Sequence, residues 1–162
     1  MTTGSTVRSN KVEKRLAELG ITLPPPPTPF GPYAEAVQTG NLLFLSGMLA
    51  TAGRHATAVG RIGKELDSQA GQKSARVAAL NALAVARAHL GSLDRVIRVV
   101  RLGVYLTVAE GNVDHVKVAD AASELFRDVL GDQTVSSRLV IGVASLPLGS
   151  PVELEVILEV VA

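Results

Sequence analysis

Two apolar runs close the chain, residues 139–144 and 152–161, and the turn-forming segment Leu146-Pro147-Leu148-Gly149-Ser150-Pro151 holds them apart. Short apolar runs bounded by proline and glycine read as two strands joined by a loop. In period-2 geometry Arg138, Val140, Gly142 and Ala144 share one face of the first strand, and Glu153, Glu155 and Ile157 share one face of the second. A cation opens one strand and a carboxylate opens the other, so the two are candidates to converge on one cleft once register is set. Within residues 156–161 both alternating sets are largely apolar, Val156, Leu158 and Val160 against Ile157 and Val161. The chain's own helices cover one face only, so a closed homo-oligomer in which sheets meet is expected to cover the other.

The remaining periodicity supplies those helices. Residues 68–90 are alanine-rich with Val77, Leu80, Ala84, Arg87 and Leu90 at helical spacing and Gly91 as a stop. Residues 114–130 place Val118, Ala122, Leu125 and Val129 inward before Gly131. Between the two helices, residues 96–108 are rich in β-branched residues and alternate in part (Val96, Val100, Leu102, Val104, Leu106), which reads as a long strand. Residues 33–37 and 41–45 flank Gln38-Thr39-Gly40 as a hairpin, closed by Ser46-Gly47. Residues 50–66 have no clean period and read as a long loop with room for one short strand. Ahead of all this, Asn10 and Glu13 resemble a capping box for a short helix carrying Val12, Leu16 and Leu19. The run Pro24-Pro25-Pro26-Pro27-Thr28-Pro29 must be extended, and with no basic anchor nearby it reads as a rigid strap rather than a ligand for proline-binding modules. The order ββ, α, β, α, ββ gives an α+β fold, a mixed sheet with two long helices on one face.

At 162 residues this is one domain, residues 11–162, with a polar loose tail over 1–10 and the N-terminal helix and strap over 11–29. Aromatics are 3% of the chain, so the core is aliphatic and offers no platform for stacking RNA bases. Sixteen basic residues against fifteen acidic ones leave +1, no field to gather nucleic acid. Without cysteine there is no disulfide frame and no thiolate metal site. No apolar run reaches membrane-spanning length and no secretion signal precedes the domain, so the cytoplasm is the expected compartment and no membrane partner is expected.

P-loop, GxGxxG, GxSxG and HExxH motifs are absent. His55, His89 and His115 have no spacing that links them, so no metal site is expected. Ser46 lacks an evident histidine partner and is not read as a nucleophile. Arg138 stands apart because so apolar a segment follows it. At the rim of a buried strand an arginine is either an ion-pair partner or, through its planar fork, a receptor for a carboxylate or phosphate. Glu153 is either a solvated edge charge or a cleft group, and Tyr33 either loop packing or a ligand contact.

The spaced set Gly31-Pro32-Tyr33, Gly40-Asn41-Leu42, Leu45-Ser46-Gly47, Arg138, Leu146-Pro147 and Val152-Glu153-Leu154-Glu155 resembles the Rid family of reactive-intermediate deaminases, also called the YjgF family and labelled "endoribonuclease L-PSP". The similarity runs from about Pro29 to the C-terminus, and the interval from Arg138 to Glu153 matches without a gap. The resemblance implies a chorismate-mutase-like α+β fold and a homotrimer with three clefts between subunits. It implies that Arg138 holds the carboxylate of a 2-imino or 2-amino-enoic acid, that Glu153 positions a water, and that Tyr33, Ser46 and Gly47 line the pocket. The expected reaction is hydrolytic deamination to a 2-keto acid and ammonia, with no metal or organic cofactor. A trimer that binds small carboxylate metabolites without turnover is one alternative. An RNA-cleaving or translation-inhibiting protein is another, disfavoured by the balanced charge and the missing histidine pair. Where deaminase-type members carry proline-alanine before the arginine and cysteine two residues after it, this chain has Ser136-Ser137 and Val140. Their helix asparagine corresponds to Ala119, and the N-terminal helix and the 50–66 region are longer, so the chain resembles a divergent subgroup.

Overall fold

The structure, a computed structural model, describes residues 10–111, 113–132 and 135–162; all but Asn10 of the expected tail lies outside the described residues. Helix α1 (Lys11–Glu18) buries Val12 and Leu16. Asn10 stands at its N-cap, but the expected capping box does not form. Asn10 makes no side-chain cap bond, and the orphan N–H of Val12 donates instead to Asp94 Oδ1 at 2.9 Å. A tertiary contact thus replaces the local one and ties α1 to a residue 82 positions further along the chain. Residues 21–29 follow without helix or strand, in keeping with their prolines.

Strands β1 (Ala36–Thr39) and β2 (Leu42–Leu45) form the expected hairpin, with Gly40 supplying the positive φ of the turn. Ser46-Gly47 closes β2 as expected, and a further strand, β3 (Met48–Leu49), follows directly. β4 (Thr51–Ala52) and β5 (His55–Ala56) then pair as a second small hairpin where one short strand at most was expected. Paired runs of two residues are too short to show a period. The remaining elements are α2 (Ser68–Leu90), β6 (Val96–Thr107), α3 (His115–Leu130), β7 (Ser137–Val143) and β8 (Val152–Val160). Asp67 caps α2 by accepting from the Ala70 N–H, and Gly91 ends it at φ 77°.

The main sheet runs β1-β2-β8-β6-β7, with β3 also on β8; β7 is parallel to β6 and the other pairs are antiparallel. Helices α2 and α3 pack together on one face, which gives the mixed α+β architecture expected. The face α2 turns inward matches the expected one only in part, with Ala84 and Leu90 buried as expected. Ala75, Ala78, Ala79, Ala82 and Ala86 are buried, while Val77 and Leu80 are half-buried and Arg87 reaches out to Glu13. Small side chains let the helix approach the sheet and α3 closely, and Leu83 and Val85 are buried among them. α3 buries Val118, Ala122, Leu125 and Val129 as expected.

Two further corrections concern the sheet. β6 has register shifts against β8 between Val96 and Arg98 and between Val99 and Arg101, and these change its phase. Val99 is therefore in the core at 1% exposure, whereas Val100, expected there, is 36% exposed. In β8 the core takes Val152, Leu154, Val156, Leu158 and Val160, but the other face carries Glu153, Glu155, Ile157 and Glu159, so the strand is not apolar on both sides. Two of those carboxylates have partners: Glu159 pairs with Arg98 at 2.8 Å and Glu155 accepts from the Tyr105 hydroxyl at 2.8 Å. The exposed apolar groups of this face come instead from neighbouring strands, Val37, Phe44, Leu139 and Ile141.

The C-terminal strands β7 and β8 are not neighbours, because β6 lies between them. Arg138 sits beside Leu102, whose side chain faces the helices, and Glu153 sits beside Tyr105, on the opposite face. Within one chain the two do not converge.

Candidate functional site

β8 carries β2 and β3 end to end along one edge. Phe44 pairs with Ile157 and Met48 with Leu154, so four steps along one strand span three along the other. The extra residue is a bulge centred on Ser46-Gly47, and bulges turn a backbone out of its ladder and re-aim what it carries. Here it brings the Gly47 backbone against Glu153. A Cβ built on Gly47 would overlap the Glu153 carboxylate, so only glycine lets that carboxylate lie where it does.

Ser46 fixes the other side of the bulge. Its Oγ donates to the Ala34 carbonyl at 2.6 Å and its N–H donates to the Glu35 carbonyl at 2.9 Å, which clamps the segment after Tyr33 to the bulge. The Tyr33 hydroxyl accepts from the Phe30 N–H at 3.1 Å and is tied to the end of the proline strap. Tyr33, Ser46, Gly47 and Glu153 all line one cavity of about 450 Å³. That size suits a small metabolite.

The same cavity is lined by residues that the sequence pattern did not single out: Glu35, Pro27 and Phe30 of the strap, and Leu148 of the β7–β8 turn. An acidic residue just ahead of a half-buried strand was the available signal for Glu35. Burial raises the carboxyl pKa of both Glu35 and Glu153 above the ordinary 4.5. No lysine or arginine is among the described residues lining the cavity, so it presents two carboxyl groups in largely apolar surroundings. Such a site favours cationic or hydrogen-bond-donating nitrogen over phosphate.

Arg138 lies elsewhere. Its Nη1 donates to Asp120 Oδ1 at 2.8 Å and to Ser123 Oγ at 3.0 Å, both on α3. Those two bonds use one nitrogen of the fork. His55, His89 and His115 stand on β5, α2 and α3, and none lines the cavity.

Residues 13–160 match the family described as "YjgF/chorismate_mutase-like, putative endoribonuclease". The chain is 36% identical over 156 residues to Protein TCP17 of Trypanosoma cruzi, covering 96% of this chain and 98% of that protein. It is 30% identical over 140 residues to a 2-iminobutanoate/2-iminopropanoate deaminase of Dermatophagoides farinae, covering 86% and 94%. A crystal structure of an Agrobacterium tumefaciens protein of unknown function superposes with a TM-score of 0.85 at 33% identity over 94% of each chain.

Proposed function

Because this chain belongs to the YjgF/chorismate-mutase-like family, we propose that it hydrolyses small 2-imino or 2-enamino acids to 2-keto acids and ammonia. The observation that carries this reading is the Glu153 carboxylate seated against Gly47 in the cavity beside Tyr33. A half-buried carboxylate with a raised pKa is a base matched to drawing one proton from water. In the tautomerised imine the C2 carbon is the electrophile. Water oxygen bonds to C2 of the protonated imine as one water proton passes to Glu153 and the C=N π pair moves to nitrogen, forming a tetrahedral carbinolamine. Glu153 returns that proton to nitrogen, and as the C–N bond breaks the remaining hydroxyl proton passes to Glu153, which releases ammonia and leaves the carbonyl oxygen from water on C2. Holding water and C2 together is most of the catalysis such a reactive substrate needs. Glu35 offers a second acceptor for the substrate's N–H.

The substrate carboxylate needs a cation, and the role falls to Arg138. Since Arg138 and Glu153 face opposite sides of one sheet, the arginine of each site belongs to a neighbouring copy. A homotrimer with a site at each of its three subunit contacts meets that requirement, and the exposed Val37, Phe44, Leu139 and Ile141 supply apolar surface for sheets to meet. RNA cleavage is the weaker reading, because two carboxyl groups repel a phosphodiester. The test is keto-acid and ammonia release from freshly generated 2-iminopropionate, with an RNA substrate as control and light scattering for mass. Faster release than the spontaneous rate by a trimer is expected; no acceleration, or a stable monomer, refutes the proposal.

A further inference from the structure

The cavity is larger than the reacting group of a small imino acid requires. At about 30 Å³ per water-sized group, its volume of about 450 Å³ has room for on the order of fifteen such groups. A three-carbon imino acid has six non-hydrogen atoms and the guanidinium that the neighbouring copy brings has four, which leaves about a third of that space unfilled. Much of the remaining wall is apolar and includes Pro27, Phe30, Leu49 and Leu148. Phe30 and Leu148 come from segments that take no part in the sheet, and both are held in place. The Phe30 ring lies under the guanidinium of Arg54, 4.8 Å from the ring centroid, with Arg54 presented by the β4–β5 turn. Leu148 has φ 60° and ψ 11°, the one non-glycine residue at positive φ among the described residues. Its neighbours pin it there, since the Gly149 N–H donates to the Leu146 carbonyl and the Ser150 N–H to the Pro147 carbonyl. Glycine would sit in that conformation without strain, so the turn keeps a leucine side chain at the cavity against its own backbone preference.

We infer that the site takes 2-imino acids with a large apolar side chain, aromatic or branched aliphatic, and that Phe30 and Leu148 are its specificity-determining residues. The inference rests on the deaminase reading for the imino group; the side-chain preference is carried by the cavity itself. The experiment generates imino acids in situ from alanine, leucine and phenylalanine with an amino-acid oxidase and measures kcat/KM for each. In parallel, calorimetry measures binding of pyruvate, 4-methyl-2-oxopentanoate and phenylpyruvate. The leucine- and phenylalanine-derived imines are expected to exceed the alanine-derived one by at least about tenfold in kcat/KM, the scale that a few buried methylenes provide. Phe30→Ala and Leu148→Gly should each cut that ratio by about tenfold, and Leu148→Gly folds readily because it relieves the positive φ. Equal or reversed preference overturns the inference. If no imino acid is turned over, the deaminase reading fails, and the side-chain inference is then decided by the keto acids: phenylpyruvate bound about tenfold more tightly than pyruvate supports it, and equal affinities overturn it.

Discussion

The carboxylate of Glu153 occupies the space that a side chain on Gly47 would need. The obstructing atoms are the far end of a flexible side chain, and Gly47 is not among the glycines at positive φ. Gly47→Ala should therefore fold with stability within about 1 kcal/mol of wild type while pushing the carboxylate aside. Misplacing a reacting group by about 1 Å costs on the order of 100-fold in rate. A variant that melts normally, shows a displaced Glu153 in its crystal structure and loses turnover on that scale is the expected result; undiminished turnover counts against Glu153 as the base.

Glu153 also links pH to stability. Burial holds its folded-state pKa above 4.5, so the native protein binds this proton more tightly than the unfolded chain does. The resulting stability is fully present below the unfolded value and is lost as pH rises through the folded one. Glu153→Gln removes the titration and should raise the melting temperature at pH 7, with the gain disappearing below about pH 4.5. Activity moves the other way: turnover falls about 100-fold or more, and carboxylate binding is nearly retained. A Glu153→Gln protein less stable than wild type at pH 7 would contradict the sign.

Arg138 and Glu153 permit a test of site sharing. Arg138→Ala breaks an ion pair with Asp120 whose partners are 25% and 46% exposed, a loss of about 0–1 kcal/mol in folding. Arg138→Lys keeps the charge but not the fork and should weaken carboxylate recognition by about 1.5–3 kcal/mol. Arg138→Ala and Glu153→Gln homotrimers should each be inactive, yet trimers refolded from a mixture should regain activity, because some sites then draw an intact arginine and an intact glutamate from different chains. No recovery in verified mixed trimers would place both residues of each site in one chain or remove Arg138 from it. An Arg138→Ala trimer that binds keto acids with wild-type affinity would dispose of the binding-only alternative as well.

Asp94 is a control far from the cavity. Its Oδ1 caps α1 through the Val12 N–H, and its Oδ2 is buried with no hydrogen-bond partner among the described residues. Asp94→Ala should cost about 1 kcal/mol, the worth of a cap, or about 2–4 °C in Tm, and speed hydrogen exchange at the start of α1. Imino-acid kinetics should be unchanged; unaltered exchange at Val12 would show that the bond does not hold the helix.

Much of this architecture was legible from short-range pattern. Both long helices, with Gly91 and Gly131 after them, and the strands around them follow from periodicity and caps. What periodicity could not give is anything set by pairing. The bulge at Ser46-Gly47 exists only relative to β8, and the phase change that puts Val99 rather than Val100 in the core exists only relative to the same strand. Tyr33, Ser46, Gly47 and Glu153 were identified through family resemblance, and the cavity brings them together. Placing Arg138 on the opposite face needed the strand order, because β6 comes between β7 and β8. Glu35 and Leu148 were missed because one short acidic side chain before a strand, and one leucine between proline and glycine, carry no motif.

The division of the cavity between sheet and loops has an evolutionary consequence. Gly47 and Glu153 are fixed by strand pairing and a core that tolerates little change, whereas Phe30 and Leu148 stand on a strap and a turn, where substitution costs the fold little. Descendants of such a chain can exchange one substrate for another by altering the strap or the turn and leave the reacting groups as they were. Drift in the loops would then change what the cavity admits while the strand-borne residues beneath it stay as they are.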